Sequence, residues 1–481
     1  MDTQFQKRFA LLLTLIFFIV TPLFILYAMG FRFESFDGGI RPQIRATGGI
    51  RINPRNQYQI ILDGTISSPT PLYREGLNTG PIEVTLFRTG FQSWNKTLDI
   101  EPSRVTLIDS VILFPETPEL EAVPTAPDQI QNILPNPLSD NILYSSVDPE
   151  QPGLWLYNPQ AQTNTHLVDT IQDLELDPDT QFEEIVWDSS SQQLSFSVFG
   201  TTGQRIFILN SILSSEPTLL EITDTFTLRP IDSPITVLSL EGSTLTFAQN
   251  QTISQKDLIQ GTPSREILRN VAQSTTRGNI IYYQDNRTND ILSFNTLSRQ
   301  SQLLASEFEA PIQQLAVPET QSHLLIVTET DEVFRMSLDE IETRILRRIP
   351  GVFAQNLSFG GQGKKVLLQG KNTIHMMYLD DIEGYQRKQK GDVDLLLQTE
   401  PEDTILQSKY FGPDQEHIIF QQDDLLRIVE LDTRDTPNVA TLIDSVTAFS
   451  DVVVNNQAVI IVLQNEELSE FRFPIRRTAL F

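Results

Sequence analysis

Three regimes of apolar and polar positions follow one another along this chain. From Phe9 to Phe31 the run FALLLTLIFFIVTPLFILYAMGF carries no charge. At ~1.5 Å per residue such a run can cross a ~30 Å hydrocarbon core as a helix, and Pro22 is tolerable there. Over 46–115 the pattern turns to period two, with apolar alternation in GGIRINP (48–54), YQIILDG (58–64), IEVTLFRTGF (82–91), WNKTLDI (94–100) and VTLIDSVILFP (105–115). Gly, Pro and Asn punctuate these runs, which predicts a compact antiparallel β-sandwich. Asp63-Gly64 then supplies a tight hairpin turn that needs positive φ, and Phe91 and Trp94 are candidate core aromatics.

Beyond the proline-rich stretch 116–129 a paired-strand pattern recurs. An apolar strand, a short polar turn and a second strand ending near Asp, Glu or Asn appear at 141–158, 193–210, 244–258, 279–295, 323–339, 365–380, 417–432 and 458–473. The copies start about 35–52 residues apart, a period that marks four-stranded propeller blades. EEIVW before the second hairpin and LLEITDTF after it supply the other two strands of one unit. Eight hairpins predict eight blades, with seven as the alternative. The last unit lacks a clear fourth strand, which a segment near 119–123 could provide, removing the exposed sheet edges that invite aggregation.

Two resemblances sit on these patterns. Gly49-Ile-Arg-Ile-Asn-Pro54, Ile61-Leu-Asp-Gly64, Thr70-Pro71-Leu72, Gly76, Gly80 and Arg88-Thr-Gly-Phe91 with Trp94 together resemble a PEGA domain. That family implies a small non-catalytic sandwich on an exported bacterial protein. In the C-terminal region, the 411–420 stretch FGPDQEHIIF resembles the repeat of TolB/WD40-like propellers, with weaker versions at 357–366 and 185–194. This implies a propeller used for protein or ligand binding.

Composition narrows the rest. Asp and Glu number 62 against 35 Lys and Arg, a formal net charge of −27, which disfavours nucleic acid as a partner. There is no cysteine, so disulfides, thiolate nucleophiles and thiolate zinc sites are excluded. Hydrophobic residues at 40% and charged residues at 20% fit a largely globular chain. Lys7 and Arg8 precede the apolar run while Arg32, Arg41 and Arg45 follow it, so charge counting alone leaves the orientation open. A cleaved signal peptide is the rival reading, with Ala28-Met29-Gly30 as its small-residue site.

No nucleophile elbow, zincin, nucleotide-loop or EF-hand spacing occurs. The glycine-rich 360–365 stretch GGQGKK lacks Walker spacing and fits a strand-joining turn. Asp173, Glu175, Asp177 and Asp179 alternate in sequence; on an extended strand they would share a face and form a candidate Ca²⁺ site, the alternative being a solvated acidic strand. DNRTND (285–290) reads as a hairpin loop. The basic run Arg387-Lys388-Gln389-Lys390 beside Tyr385 reads as a blade loop, with a contact to acidic polymer or membrane as the alternative. His166, His323, His375 and His417 are far apart and read as strand residues rather than metal ligands. Trp94 reads as core, with carbohydrate stacking as the alternative.

The expectation is therefore an all-β chain with an N-terminal transmembrane helix. A cytoplasmic head (1–8) leads into an uncleaved transmembrane signal anchor (9–31). A PEGA-like β-sandwich (46–115) and a linker (116–129) precede a β-propeller (130–481). The bulk would lie outside the cytoplasm with the N-terminus in, as a single-pass protein of the bacterial cytoplasmic membrane. Its expected function is non-enzymatic binding or scaffolding in the cell envelope, with a protein or cell-wall partner on the propeller face and no catalytic residues or cofactor. The alternative is a propeller enzyme acting on an envelope glycan through carboxylates in its channel.

Overall fold

The computed structural model describes residues 3–28, 31–35, 42–54, 56–109, 111–178, 180–200, 203–214, 217–223, 234–259, 263–339, 345–382, 387–411, 416–454 and 457–474. Helix α1 (Thr3–Ala28) ends before the apolar run does, because Phe31 already opens strand β1 (Phe31–Ser35). Its apolar side chains project on all sides, Leu11, Phe18 and Phe24 being about 70% exposed. Among the described residues no helix is long and apolar enough to cross a membrane.

Two four-stranded sheets follow. In one, the long strand β2 (Pro42–Ile52) pairs with β1, then with β5 (Leu72–Asn78) on one side and, in parallel, with β8 (Val105–Ile108) on the other. The second runs β4 (Thr65–Ser67), β3 (Gln59–Leu62), β6 (Gly80–Phe87), β7 (Trp94–Ile100). Alternation governs both: in β7 every second residue from Trp94 to Ile100 is buried. Of these, Trp94, Leu98 and Ile100 close on Ile50, Ile52, Ile60, Leu62, Val84 and Leu86 in one core. Asp63 and Gly64 make the two-residue β3–β4 turn with φ of 45° and 72°, as their sequence demands.

From residue 130 onward, eight four-stranded sheets succeed one another: β10–β13 (130–169), β14–β17 (182–221), β18–β21 (236–268), β22–β25 (271–305), β26–β29 (312–353), β30–β33 (356–398), β34–β37 (405–443) and β38–β40 (448–474). The eighth takes its fourth strand from β9 (Glu121–Ala122), which pairs with Ser469 and Glu470. Part of the proline-rich stretch thus closes the ring. Each hairpin read from the sequence is the middle pair of a sheet. Those pairs carry continuous apolar runs because they are covered on both faces: every residue of β11 (Ile142–Ser146), β27 (His323–Thr328) and β35 (His417–Gln422) is buried.

First strands of neighbouring sheets pack together, β14 on β18, β22 on β26, β30 on β34, and β38 back on β10, so they line the centre. Buried glutamines tie successive sheets. Gln204, Gln284, Gln369 and Gln421 each donate a side-chain hydrogen bond to a backbone carbonyl at the entry to the next sheet, those of Ile235 (2.9 Å), Phe308 (3.2 Å), Ile405 (2.9 Å) and Val446 (2.8 Å).

Candidate functional site

The small sandwich is seated on one face of the ring. Lys96 faces inward on β7 with a side chain that has no exposure, and its Nζ lies 3.0 Å from Glu430 and 3.7 Å from Asp432. It also donates to the carbonyls of Asp432 and, at 2.7 Å, of Arg434. Trp94 Nε1 donates to the other Glu430 oxygen at 2.6 Å. Arg434 forks onto Asp432 and reaches the Leu107 carbonyl at 2.9 Å. Burial pushes the Asp432 carboxyl up, but the Arg434 fork and the Lys96 charge outweigh it and hold it below its ordinary value. Burying this many charges is tolerable only because each is matched. Beside the ion pairs, residues 111–114 stitch the two cores: Val111 and Leu113 enter the sandwich core, Ile112 and Phe114 the core of the last two sheets.

These contacts fall at the C-terminal end of the seventh sheet's first strand, β34 (Ile405–Tyr410), and around the end of β36 (Leu425–Glu430). The opposite face, where the first strands begin, carries none of them. There the ring repeats one irregularity. A β-bulge interrupts six of the eight first strands near their start: after Ile130 in β10 (Ile130–Pro135), Glu183 in β14 (Phe182–Trp187), Val237 in β18 (Thr236–Glu241), Val271 in β22 (Val271–Arg277), Ile312 in β26 (Ile312–Ala316) and Ile405 in β34. A bulge re-aims consecutive side chains. At each one a buried apolar residue is followed by two at least partly exposed ones: Gln131 and Asn132, Glu183 and Glu184, Leu238 and Ser239, Ala272 and Gln273, Gln313 and Gln314, Leu406 and Gln407. The mouth is thus rich in neutral amides, with one acidic sector.

Glu184 stands out in that sector. It adopts φ 49°, its Oε2 accepts from Gln204 Nε2 at 3.3 Å, and it lines a cavity of about 200 Å³ with Asn132, Leu134, Leu143, Phe182 and Ile185. Burial raises its carboxyl pKa, against hydrogen bonds from Thr236, Gln204 and Val237.

The residues singled out in the sequence are dispersed. Asp173 sits in a turn, accepting the Asp169 amide at 2.7 Å, and Glu175 has φ 57°. The extended face proposed for Asp173, Glu175 and Asp177 does not form, because the chain turns there. Asp179 lies outside the described residues. No group of three or more metal-ligating side chains forms among the described residues. The four histidines occupy different sheets or strands: His166 stacks on Trp155 at 4.2 Å, His323 and His417 are buried, and burial lowers the His375 pKa. The 360–365 stretch joins β30 (Asn356–Gly360) to β31 (Lys365–Gln369). Asp285 accepts the amides of Arg287 and Thr288 in the 285–290 loop. Lys388 is paired with Asp394 at 2.7 Å and Arg387 is exposed; Tyr385 lies outside the described residues, as do 412–415 of the 411–420 signature. Trp94 is buried at the joint, where no sugar can stack on it.

The sequence matches no family model and no curated protein. Among solved structures it is similar to the C-terminal WD40 domain of Sif2, at 12% identity and a TM-score of 0.50, over 74% of this chain and 99% of that one. The fold is a β-propeller. Sqt1 of Saccharomyces cerevisiae (9% identity, TM-score 0.46, 75% of this chain and 98% of that one) and the tricorn protease (13%, 0.38, 92% and 47%) are also similar but add nothing to that conclusion.

Sequence reading missed both features of this propeller that matter most. Lys96 had a signal, since a lysine at the buried parity of WNKTLDI demands a buried counter-charge. The mouth had one too, a recurring Ile/Val-x-Asn/Gln/Ser at 130–132, 237–239, 271–273, 312–314 and 405–407.

Proposed function

We propose that this chain is a non-enzymatic scaffold of the bacterial cell envelope, anchored in the cytoplasmic membrane and presenting its propeller to a protein partner outside the cytoplasm. The observation that carries this reading is the two-sidedness of the ring. One face is occupied by the sandwich that follows α1, and the other offers an open, polar, bulged mouth. The anchor rests on the uncharged sequence 9–31 and on the apolar side chains exposed along α1, a surface that suits lipid better than water, although no helix among the described residues is by itself long and apolar enough for a span. The sandwich in this reading is a PEGA-like spacer (46–115), and the propeller (130–481) is TolB-like.

A photo-cross-linking amino acid placed at Gln273, on the mouth, and at Leu303, on an outer strand, tests the scaffold role in intact cells. The expected result is a discrete protein adduct from Gln273 and none from Leu303. No mouth-specific adduct would overturn the proposal.

A further inference from the structure

We propose that the cavity between the first two blades is a pocket for one large apolar side chain, of phenylalanine size, carried by the partner protein. This deepens, and rests on, the reading of the mouth as a partner site. The cavity holds about 200 Å³ beside the bulged first strands β10 and β14. Leu134, Leu143, Phe182 and Ile185 form its walls, and all four belong to or pack against the apolar core that the two blades share. On the side of the mouth Asn132 is exposed, with Leu134 and Ile185 partly so. An apolar cavity of ~150 Å³ lined by Leu, Ile and Phe takes up benzene, so the volume here admits a phenyl group.

The described residues that line this space offer it no charge. Asn132 and Ser145 are neutral, and Asn132 Nδ2 donates to Ser145 Oγ at 3.4 Å. The Tyr144 hydroxyl is engaged by Asn164 at 2.9 Å. Glu184 contributes to the lining, but Gln204, Thr236 and Val237 hold its carboxylate toward the third blade. A charged guest would therefore give up its hydration without gaining a counter-charge. A phenyl ring gives up only contact with water, which favours its burial. At the rim, the exposed Asn132 amide can both donate to and accept from the main chain that carries the ring.

The test uses the full-length protein in lipid nanodiscs and three probes, the N-acetyl methylamides of phenylalanine, alanine and lysine. Ligand-observed NMR titration, with empty nanodiscs as the blank, should show saturable binding of the phenylalanine probe that is insensitive to added salt. The alanine and lysine probes should bind about tenfold more weakly or worse. Ser145→Leu fills the cavity from its wall, and Asn132→Phe covers it from the rim. Each should abolish binding of the phenylalanine probe, and Asn132→Phe decides alone if Ser145→Leu does not fold. Leu303→Ala, on an outer strand, should change nothing. In cells the two pocket variants should lower the yield of the Gln273 adduct about tenfold.

No saturable binding of the phenylalanine probe, equal binding of the alanine or lysine probe, or unaltered binding to Asn132→Phe would each overturn the pocket. An adduct that keeps its yield in the pocket variants would overturn it too, because the partner would then leave the cavity empty. If the Gln273 adduct still forms in any of these events, the scaffold reading stands and the pocket alone falls. If the probe binds but Gln273 traps no protein, the partner reading falls instead.

Discussion

Lys96 concentrates the physics of this molecule in one side chain. It carries a positive charge into a joint with no solvent access, where Glu430, Asp432 and two backbone carbonyls surround it. Replacing it by Met should leave Glu430 buried without its cation, Asp432 keeping Arg434, and destabilise the joint by about 3–5 kcal/mol. Chemical denaturation should then show the sandwich leaving the propeller as a separate early transition. A single unshifted transition would mean that the pair contributes nothing.

The pH dependence follows from Asp432. Its carboxyl is held below the ordinary aspartate value of about 3.8, so its contribution is complete above that value and is lost only as pH falls through the lower folded one. Hydrogen exchange of the β7 amides should therefore stay slow down to about pH 4 and accelerate below it. Acceleration beginning near pH 6 would point to a different group.

At the scale of elements, the buried glutamines are the clearest repeated device. Gln369 donates to the Ile405 carbonyl and accepts from Ser408 at 2.9 Å. Gln369→Leu keeps the bulk but strands both partners, and should lower stability by about 1–3 kcal/mol. A thermal melt with an unchanged midpoint would contradict the clamp.

Legibility also differs by element. Middle strands such as LLIV of β27 and IIF of β35 were plain in the sequence, because burial on both faces forces an unbroken apolar run. First strands were largely hidden. They face the channel, alternate poorly and lose their period where a bulge inserts a residue, as at Ala272 and Leu406. The Asp63-Gly64 turn was legible because local sterics alone dictate it. The Lys96 joint was not, because its partners lie about 336 residues away in sequence. The acidic stretch from Asp173 misled for a related reason: its spacing fits a strand, but hydrogen bonds from local backbone amides make it a turn.

For the whole molecule, closure of the ring is the governing event. The first and last sheets are locked by Glu470, only 1% exposed, which accepts from Tyr157 at 2.7 Å and from Arg472 at 2.7 and 3.0 Å. β9 then covers the edge of β40 (Glu467–Pro474). Glu470→Ala should strand Tyr157 and Arg472, cost about 3–5 kcal/mol, and open an edge that promotes self-association on heating. Light scattering during a thermal ramp reads this; a variant as monodisperse as the parent would contradict it.

The two faces of the closed ring give the molecule its polarity, with the sandwich on one side and the open mouth on the other. The natural absence of cysteine allows a direct test of where that mouth lies. A single cysteine at Gln407 can be treated with a membrane-impermeant maleimide in intact cells and, in parallel, after lysis. Full labelling is expected in intact cells, with the mouth exposed outside the cytoplasm. Labelling that appears only after lysis would put the propeller on the cytoplasmic side and contradict the proposed role.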